Sequence, residues 1–239
     1  MNWTALSGEL DSLLKLQSSP LAITFSAEAP AGVNAFDAPM PAPTADGRTG
    51  RVPAGCVFWI EAAARTFTTE PADHGNCSVG SLTHGLKTLE EVAGNSDVAL
   101  LLHSGWVTMD VVPKIPTVKK RARFITYGPL AQTSMDPDVV FLRLNPKQTM
   151  MLSDALPDLR FEGKPQCHIV AIAKEQNEVA ISVGCMLSRV RTGMSNNEMT
   201  CAIPAGRLGE VIERLKTHAA ADSAVAAYAS SDAQRFTTQ

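Results

Sequence analysis

The stretch CVFWIEAAARTFTTEPADHGNCSVG, from Cys56 to Gly80, has a partial copy in the second half of the chain. The copy is CHIVAIAKEQNEVAISVGC, from Cys167 to Cys185. Each stretch opens with a cysteine at the head of an apolar run and closes on a second cysteine beside glycine and valine. This pattern predicts an internal duplication, with two similar halves packed about a pseudo-twofold axis. On that hypothesis the two cysteine pairs approach one another near the axis.

Segments with helical and with strand-like patterns alternate along the rest of the chain. LAITFS after Pro20, DPDVVFLRL and MTCAIP are typical of strands, whereas NPKQTMMLSDAL and AGRLGEVIERLKTHAAA are typical of helices. One face of a further helix, at the N-terminus, is formed by Leu6, Leu10, Leu13 and Leu14. The alternation predicts a mixed α/β (α+β) architecture.

The length of 239 residues suits one globular domain that buries its core without disulfides or a structural metal. We expect this domain over residues 1–218, made of two related halves of about 1–115 and 116–218. Residues 219–239 are poor in large aliphatic side chains and are expected to form a loosely attached tail. The proline-rich segment 27–53 is predicted to be irregular, and the sequence leaves open whether it is a lid or a disordered insertion.

The net charge of −3 and the pI near 6.0 give no electrostatic reason to expect nucleic acid or an anionic membrane as a partner. The N-terminus lacks the features of a signal peptide, and no apolar run approaches the roughly 18 residues of a membrane span. We therefore expect a cytoplasmic protein with a small-molecule substrate, and homo-oligomerisation stays open. In a reducing compartment, five cysteines are explained by packing, metal binding or catalysis rather than by disulfides.

The strongest candidate site is formed by Cys56, Cys77, Cys167 and Cys185. Four thiolates can hold Zn²⁺ or an iron–sulfur cluster, and widely spaced ligands gathered by the fold are typical of sites in enzymes. Packing is the alternative, especially for Cys56 and Cys167 at the heads of apolar runs, because free cysteine is often buried. Cys201 lies in a strand-like segment and is expected in the core.

His74 and His84 flank Cys77 and are candidates either to deprotonate its thiol or to ligate a metal. Ser81 or Ser78 is expected to cap a helix, which places Cys77 at or just before the helix N-terminus. The helix dipole would then lower the pKa of the Cys77 thiol. A surface histidine with neither role is the common alternative.

Arg189 and Glu198 are the charged residues singled out near the second cysteine pair. An arginine beside a Gly-Cys loop suits the recognition of a carboxylate or phosphate, so Arg189 is predicted to bind the substrate. Glu198 is predicted to be catalytic. The alternative is a salt bridge between Arg189 and Glu198 that holds the loop.

The order of LAITF, CVFWIEAA, CSVG with a following GL, GPL, PDVVFLRLNP, a cysteine-led helix, VGC and E-x-x-x-x-IP resembles domain-of-unknown-function family 169. The resemblance extends from about Leu6 to Leu215. It implies no activity, because this family is uncharacterised. The loop VGCMLSR departs from the family's Cys-Asn-Gly-x-Arg type, which would fit a specialised substrate. The residues that the resemblance assigns to the family pattern are Cys56, Cys77, Cys167, Cys185, Arg189 and Glu198.

Three functional hypotheses follow from these residues. The first is a metalloenzyme whose four cysteines hold an iron–sulfur cluster or another soft metal ion next to an anionic organic substrate. The second is cofactor-free catalysis by Cys77 as nucleophile, with His74 or His84 as base. The third is a non-enzymatic protein that binds a metal or a small ligand. Dinucleotide-binding, Walker, G-x-S-x-G and H-E-x-x-H motifs are absent from the sequence.

Overall fold

A computed structural model describes residues 1–37, 54–163 and 165–237. Within these residues a seven-stranded sheet carries helices on both of its faces, which confirms the mixed α/β prediction. The strands are β1 (Leu21–Ser26), β2 (Phe67–Thr69), β3 (Phe124–Pro129), β4 (Val139–Leu144), β5 (Arg160–Glu162), β6 (Ala180–Ser182) and β7 (Met199–Pro204). The helices are α1 (Trp3–Leu14), α2 (Gly55–Glu61), α3 (Ser78–Thr83), α4 (Leu89–Val92), α5 (Ser96–His103), α6 (Pro146–Ala155), α7 (His168–Gln176), α8 (Met186–Arg191) and α9 (Leu208–Thr237).

The strand order is β2-β3-β1-β4-β7-β6-β5, and the β5–β6 pair alone is parallel among these pairings. β1 and β4 pair in the middle of the sheet, with Ala22 opposite Val140. β3 begins after the boundary predicted near residue 115, yet it pairs with β1 and β2. Strands β1 to β3 therefore lie on one side of the sheet and strands β4 to β7 on the other. A boundary between two halves of the sheet would fall after β3 rather than near residue 115.

Alternation along the strands sends neighbouring side chains to opposite faces of the sheet. Ala22 and Val140 face a core covered by α1, α6 and α9. Ile23 and Phe141 face a second core, covered by α2 and α7. Cys201 is buried in the first core, so it lies on the opposite face of the sheet from Cys167, which belongs to the second.

The C-terminal helix is longer than the sequence suggested, because α9 continues to Thr237. Its first turns are buried against the sheet, whereas Val225, Tyr228 and Phe236 are 68%, 64% and 76% exposed. The predicted tail is thus helical as far as Thr237. Among the described residues, no helix combines the length and the apolar composition needed to cross a membrane. The buried side chains in the first turns of α9 are Leu208, Val211, Ile212 and Leu215.

Part of the proline-rich segment 27–53 is described, namely residues 27–37. Ala35 forms a bridge with Thr68 of β2, and the Phe36 ring lies 4.8 Å from that of Phe58 and 5.0 Å from that of Phe67. This end of the segment is therefore anchored on the second core. The choice between a lid and an insertion concerns residues 38–53, which lie outside the described residues.

Candidate functional site

Four helix starts bring four cysteines to one pocket on the side of the sheet covered by α2 and α7. Cys77, Cys167 and Cys185 are the N-cap residues of α3, α7 and α8, and Cys56 lies in the first turn of α2. The free space in the pocket is about 30 Å³, close to the share of one water molecule in the liquid. The structure thus joins both predicted cysteine pairs in a single narrow site.

The sulfurs of the first pair accept hydrogen bonds from nitrogen donors. The Nε2 group of Gln166 donates to Cys56 Sγ at 3.1 Å, and it also donates to Ser188 Oγ at 3.0 Å. The backbone N–H of Gly80 donates to Cys77 Sγ at 3.3 Å, as expected for a residue that caps a helix. These donors stabilise electron-rich sulfur.

The sulfurs of the second pair lie next to polar groups of α8 and α3. The backbone N–H groups of Leu187 and Ser188 are close enough to Cys185 to favour its thiolate, but they form no cap hydrogen bond with its side chain. The Thr83 hydroxyl lies next to Cys167 and donates to the Gly80 carbonyl oxygen at 3.1 Å. N–H groups therefore favour the anionic forms of Cys56, Cys77 and Cys185.

Burial nevertheless keeps these thiols protonated. It raises the pKa of Cys56 to about 12 and that of Cys77 to about 11, and it raises the pKa values of Cys167 and Cys185 as well. Charge on neighbouring cysteines raises the pKa values of Cys56, Cys77 and Cys167 further. The prediction that the helix start lowers the pKa of Cys77 is wrong, because desolvation outweighs the Gly80 hydrogen bond.

The described part of the chain contains no group of three His, Cys, Asp or Glu side chains arranged to hold a metal ion. All five cysteines are free thiols. The four pocket cysteines share one lining without forming such a group. A four-sulfur metal site would therefore require the cysteine side chains to rearrange.

His74 and His84 are buried behind the pocket and do not belong to its described lining. His84 Nδ1 lies 2.8 Å from the Gly80 carbonyl oxygen, so this nitrogen carries the proton. His74 Nε2 lies 3.0 Å from Thr69 Oγ1, and the Thr69 hydroxyl donates to the Ile125 carbonyl. Nε2 of His74 is therefore the protonated nitrogen. His74 Nδ1 and His84 Nε2 are buried without a hydrogen-bonding partner.

Both imidazole rings are neutral at physiological pH. Burial lowers the pKa of His84 to about 4 and lowers that of His74 well below the usual range. The rings pack with aromatic side chains, His74 at 4.8 Å from Phe58 and His84 at 6.0 Å from Phe25. No hydrogen bond between described residues joins either ring to the Cys77 thiol. The geometry does not pair Cys77 with the base that a thiol nucleophile requires.

Arg189 holds the loops on either side of α8. Its guanidinium donates to the carbonyl oxygens of Val183 at 2.6 Å and Glu198 at 2.8 Å, and to that of Ser195. The loop before α8 passes so close that a Cβ at Gly184, where φ is +122°, would lie 2.3 Å from Arg189 Nη2. The donors of Arg189 are thus directed at the backbone.

The Glu198 carboxylate pairs with Arg143 of β4, accepting hydrogen bonds from Nε at 2.6 Å and Nη2 at 2.7 Å. The alternative of a salt bridge between Arg189 and Glu198 is therefore wrong, since the contact involves only the Glu198 backbone carbonyl. Arg143 and Glu198 line a separate polar cavity of about 290 Å³ with Ser18 and Asn197. The structure does not bring Glu198 to the cysteine pocket.

Four polar residues of the pocket were missed in the sequence: Gln166, Ser188, Arg191 and Thr192. Gln166 directly precedes Cys167, and its side chain is 1% exposed. Arg191 follows Arg189 by two residues, and the sequence shows no feature that selects the one over the other. Which arginine faces the pocket depends on where α8 begins, because its turns set the direction of each side chain.

Comparisons with known proteins place the chain in a family. No curated protein and no solved structure shows a significant match to it. A family model described as uncharacterised ArCR, domain-of-unknown-function family 169, matches residues 9–214. The matched region contains every strand and all pocket cysteines. Because the match spans most of its length, the chain belongs to the uncharacterised ArCR family, domain-of-unknown-function family 169.

Proposed function

We propose that this protein binds a thiophilic metal centre, either a single soft ion or an iron–sulfur cluster, and acts there on a small organic anion. The observation that carries the proposal is the convergence of cysteines from separate segments on one pocket. Thiolate sulfur is the characteristic ligand of zinc, copper(I) and iron–sulfur clusters. The proposed ligands are Cys56, Cys77, Cys167 and Cys185.

The polar groups around the sulfurs support metal-bound thiolates. Gln166, Gly80 and the start of α8 supply N–H donors, and such hydrogen bonds normally tune and orient metal ligands. The free space of about 30 Å³ is enough for a single ion, whereas a cluster would need a wider pocket. Either centre would supply Lewis-acid or redox chemistry when bound.

The exposure of the cysteines supports a substrate approach from one side. Cys167 is buried, and Cys56, Cys77 and Cys185 are partly exposed. A substrate would reach the centre beside these three sulfurs. His74 and His84 lie behind the site and are proposed to position α2 and α3, while Arg189 and Glu198 hold the segments around α8.

Anaerobic purification followed by metal analysis and an ultraviolet–visible spectrum tests the proposal. We expect bound metal in the wild type, loss of metal in Cys77→Ser and Cys185→Ser, and full retention in Cys201→Ser. Cys201 is the matched control, because it is a buried cysteine on the opposite face of the sheet. Wild type that carries no metal, even after anaerobic incubation with Zn²⁺ or with iron and sulfide, would refute the proposal.

Cofactor-free catalysis by Cys77 is the second candidate function. Its partial exposure at the start of α3, next to the positive charge of Arg191, favours this candidate. Rapid alkylation of Cys77 alone in metal-free protein would support it. Uniformly slow alkylation would exclude it. Bound metal without turnover on any carboxylate tested would leave a metal-binding or carrier role.

We also infer an internal duplication as the origin of the paired cysteines. The strand order β2-β3-β1 is mirrored by β6-β7-β4 across the central pair, which supports it. α2-β2-α3 and α7-β6-α8 each run from a cysteine at one helix start to a cysteine that caps the next helix. β3 and β7 both end in a proline, Pro129 and Pro204, followed by a 3₁₀ turn. Failure of the two units to superpose in an experimental structure would contradict the inference.

A further inference from the structure

We infer that the cysteine pocket binds a short-chain aliphatic carboxylate, held at Arg191 by its charged end and directed by its chain into an adjoining apolar cavity. This inference names the substrate class of the proposed function and rests on that pocket being the functional site. Two features carry it. One is the position of Arg191, and the other is a second cavity that shares a wall with the pocket.

Arg191 supplies the charge of the pocket. It is the one formally charged side chain in the described lining, and the other polar groups there are neutral at physiological pH. Its Nη2 donates to the Asn76 carbonyl, directly before Cys77, and no carboxylate among the described residues pairs with it. Its positive charge also acts on Cys77 and Cys185. A guanidinium with donors to spare in a mostly apolar pocket suits a carboxylate.

The adjoining cavity measures about 40 Å³ and is lined by apolar side chains of the α3–α5 region and the segment after it. Val79, Leu101 and Pro165 line both this cavity and the cysteine pocket. The two spaces meet at these three side chains, and the chain of a ligand at Arg191 would pass between them into the apolar cavity. The other lining residues are Leu82, Leu89, Val92, Val98, Leu102, Val107, Val112 and Ile115.

The charge and the volume together select the ligand. A phosphate monoester carries about two charges at neutral pH, and Arg191 alone would leave about one of them uncompensated in the pocket. A carboxylate carries one charge and matches the planar fork of Arg191. The small cavity limits the chain to a short aliphatic group, because long or aromatic chains would exceed the free space.

Titration calorimetry with acetate, butyrate, hexanoate and butyramide on the protein as purified tests the inference. Each methylene that enters the cavity should strengthen binding about fourfold, until the cavity is full. Butyramide has the shape of butyrate without its charge, so it should bind at least about tenfold more weakly. Equal binding of all three acids, or of butyrate and butyramide, would overturn the inference.

Two variants with matched controls locate the binding. Arg191→Gln should lose carboxylate binding, whereas Arg121→Gln, at an exposed arginine paired with Glu91, should keep it. Val98→Phe fills the apolar cavity and should remove the advantage of hexanoate over acetate. Leu100→Phe, on the exposed side of the same helix, should leave the advantage of hexanoate over acetate unchanged. Val98→Leu provides a milder filling if the phenylalanine variant does not fold.

Metal analysis on the same samples separates this inference from the proposed function. An Arg191→Gln variant that keeps its metal but no longer binds the carboxylate ligand supports both the inference and the proposed function. Arg191→Gln that loses its metal would make this arginine the counter-charge of the metal site and overturn the inference. Chain-length-dependent carboxylate binding by a protein without metal would support the inference while the proposed metal function fails.

Discussion

Burial decides the charge of the two titratable side chains that the sequence placed at the centre of the site. A cysteine at a helix start was expected to have a lowered pKa, but burial raises the pKa of Cys77 to about 11. The same effect lowers the pKa of His84 to about 4. In both residues the neutral form is favoured, because a charged group loses its hydration on leaving water. Residue type predicted where the site lies, whereas burial sets the protonation state of these two side chains.

The free energy of unfolding should decrease as the pH falls from about 6.5 to about 4, because His84 is neutral in the folded protein. Its pKa is lowered from 6.5 to about 4, so the unfolded chain binds more protons throughout this window. This contribution to stability is complete above pH 6.5 and is lost progressively below it. At about 1.4 kcal/mol per pKa unit, the loss at pH 4 is roughly 3 kcal/mol. Urea denaturation at a series of pH values measures it.

His84→Phe keeps an aromatic ring and should reduce this dependence of stability on pH. His103→Gln changes an exposed histidine on α5 and is the matched control. If His84→Phe and the wild type lose stability in parallel between pH 6.5 and 4, the assignment to His84 is wrong. His74 is expected to contribute in the same direction, since burial also lowers its pKa.

Gly184→Ala should destabilise the protein by about 1 to 3 kcal/mol and weaken metal binding. The added Cβ would lie 2.3 Å from Arg189 Nη2, and the φ of +122° disfavours any side chain. Arg189 would have to leave the carbonyls that hold the loops around Cys185. Gly209→Ala is the control, because a Cβ there meets nothing within 4 Å. Urea midpoints that change equally in the two variants would contradict this prediction.

At the scale of elements, the helices around the site are too short to be stable alone. α2, α3 and α8 have 7, 6 and 6 residues, well below the roughly 12 to 15 needed for an isolated helix. A helix start was expected from the sequence beside Cys77 but not beside Cys185. The length of α9 was underestimated, although no glycine or proline follows Gly209 and alanine favours continuation of a helix.

Gln148→Leu should cost about 3 kcal/mol, because Gln148 links the start of α6 to the end of α1. Its Oε1 accepts from the Asn145 backbone N–H at 2.8 Å. Its Nε2 donates to the carbonyls of Leu14 at 3.2 Å and Lys15 at 2.8 Å. The substitution leaves these groups without their partner. Thermal and urea unfolding measure the loss.

Thr88→Ala in the capping box of α4 is the comparison for this prediction. That box has the same arrangement but is exposed, and its loss should cost only about 1 kcal/mol. A smaller effect for Gln148→Leu than for Thr88→Ala would show that the link between α1 and α6 does not stabilise the fold.

For the whole molecule, one continuous sheet connects the two sequence halves, and the site is assembled from both. β1 and β4 pair at its centre, and the cysteines of both halves face one pocket. The first turns of α9 complete the core on the opposite face, while its distal turns bury almost no side chain. Stability is therefore concentrated in residues up to about 222.

A chain that ends after Asp222 should unfold within about 0.5 kcal/mol of the full-length protein, since almost all of residues 223–236 are exposed. It keeps the Lys147–Asp222 ion pair at 3.3 Å. A chain that ends after Arg207 should not fold, because it lacks the buried side chains of the first turns of α9. Calorimetric unfolding and light scattering test both. If the chain that ends after Asp222 loses stability or no longer forms an oligomer, the distal turns of α9 contact a partner.

The sequence by itself determined the family, the mixed α/β class and the set of pocket cysteines, because these depend on residue order, local periodicity and side-chain chemistry. Only the tertiary structure decided that Arg191, rather than Arg189, lines the pocket, that Glu198 pairs with Arg143, and that His74 and His84 are neutral. The physical reason is that the direction and hydration of a side chain depend on segments far away in the chain. Local patterns carry no information about those segments.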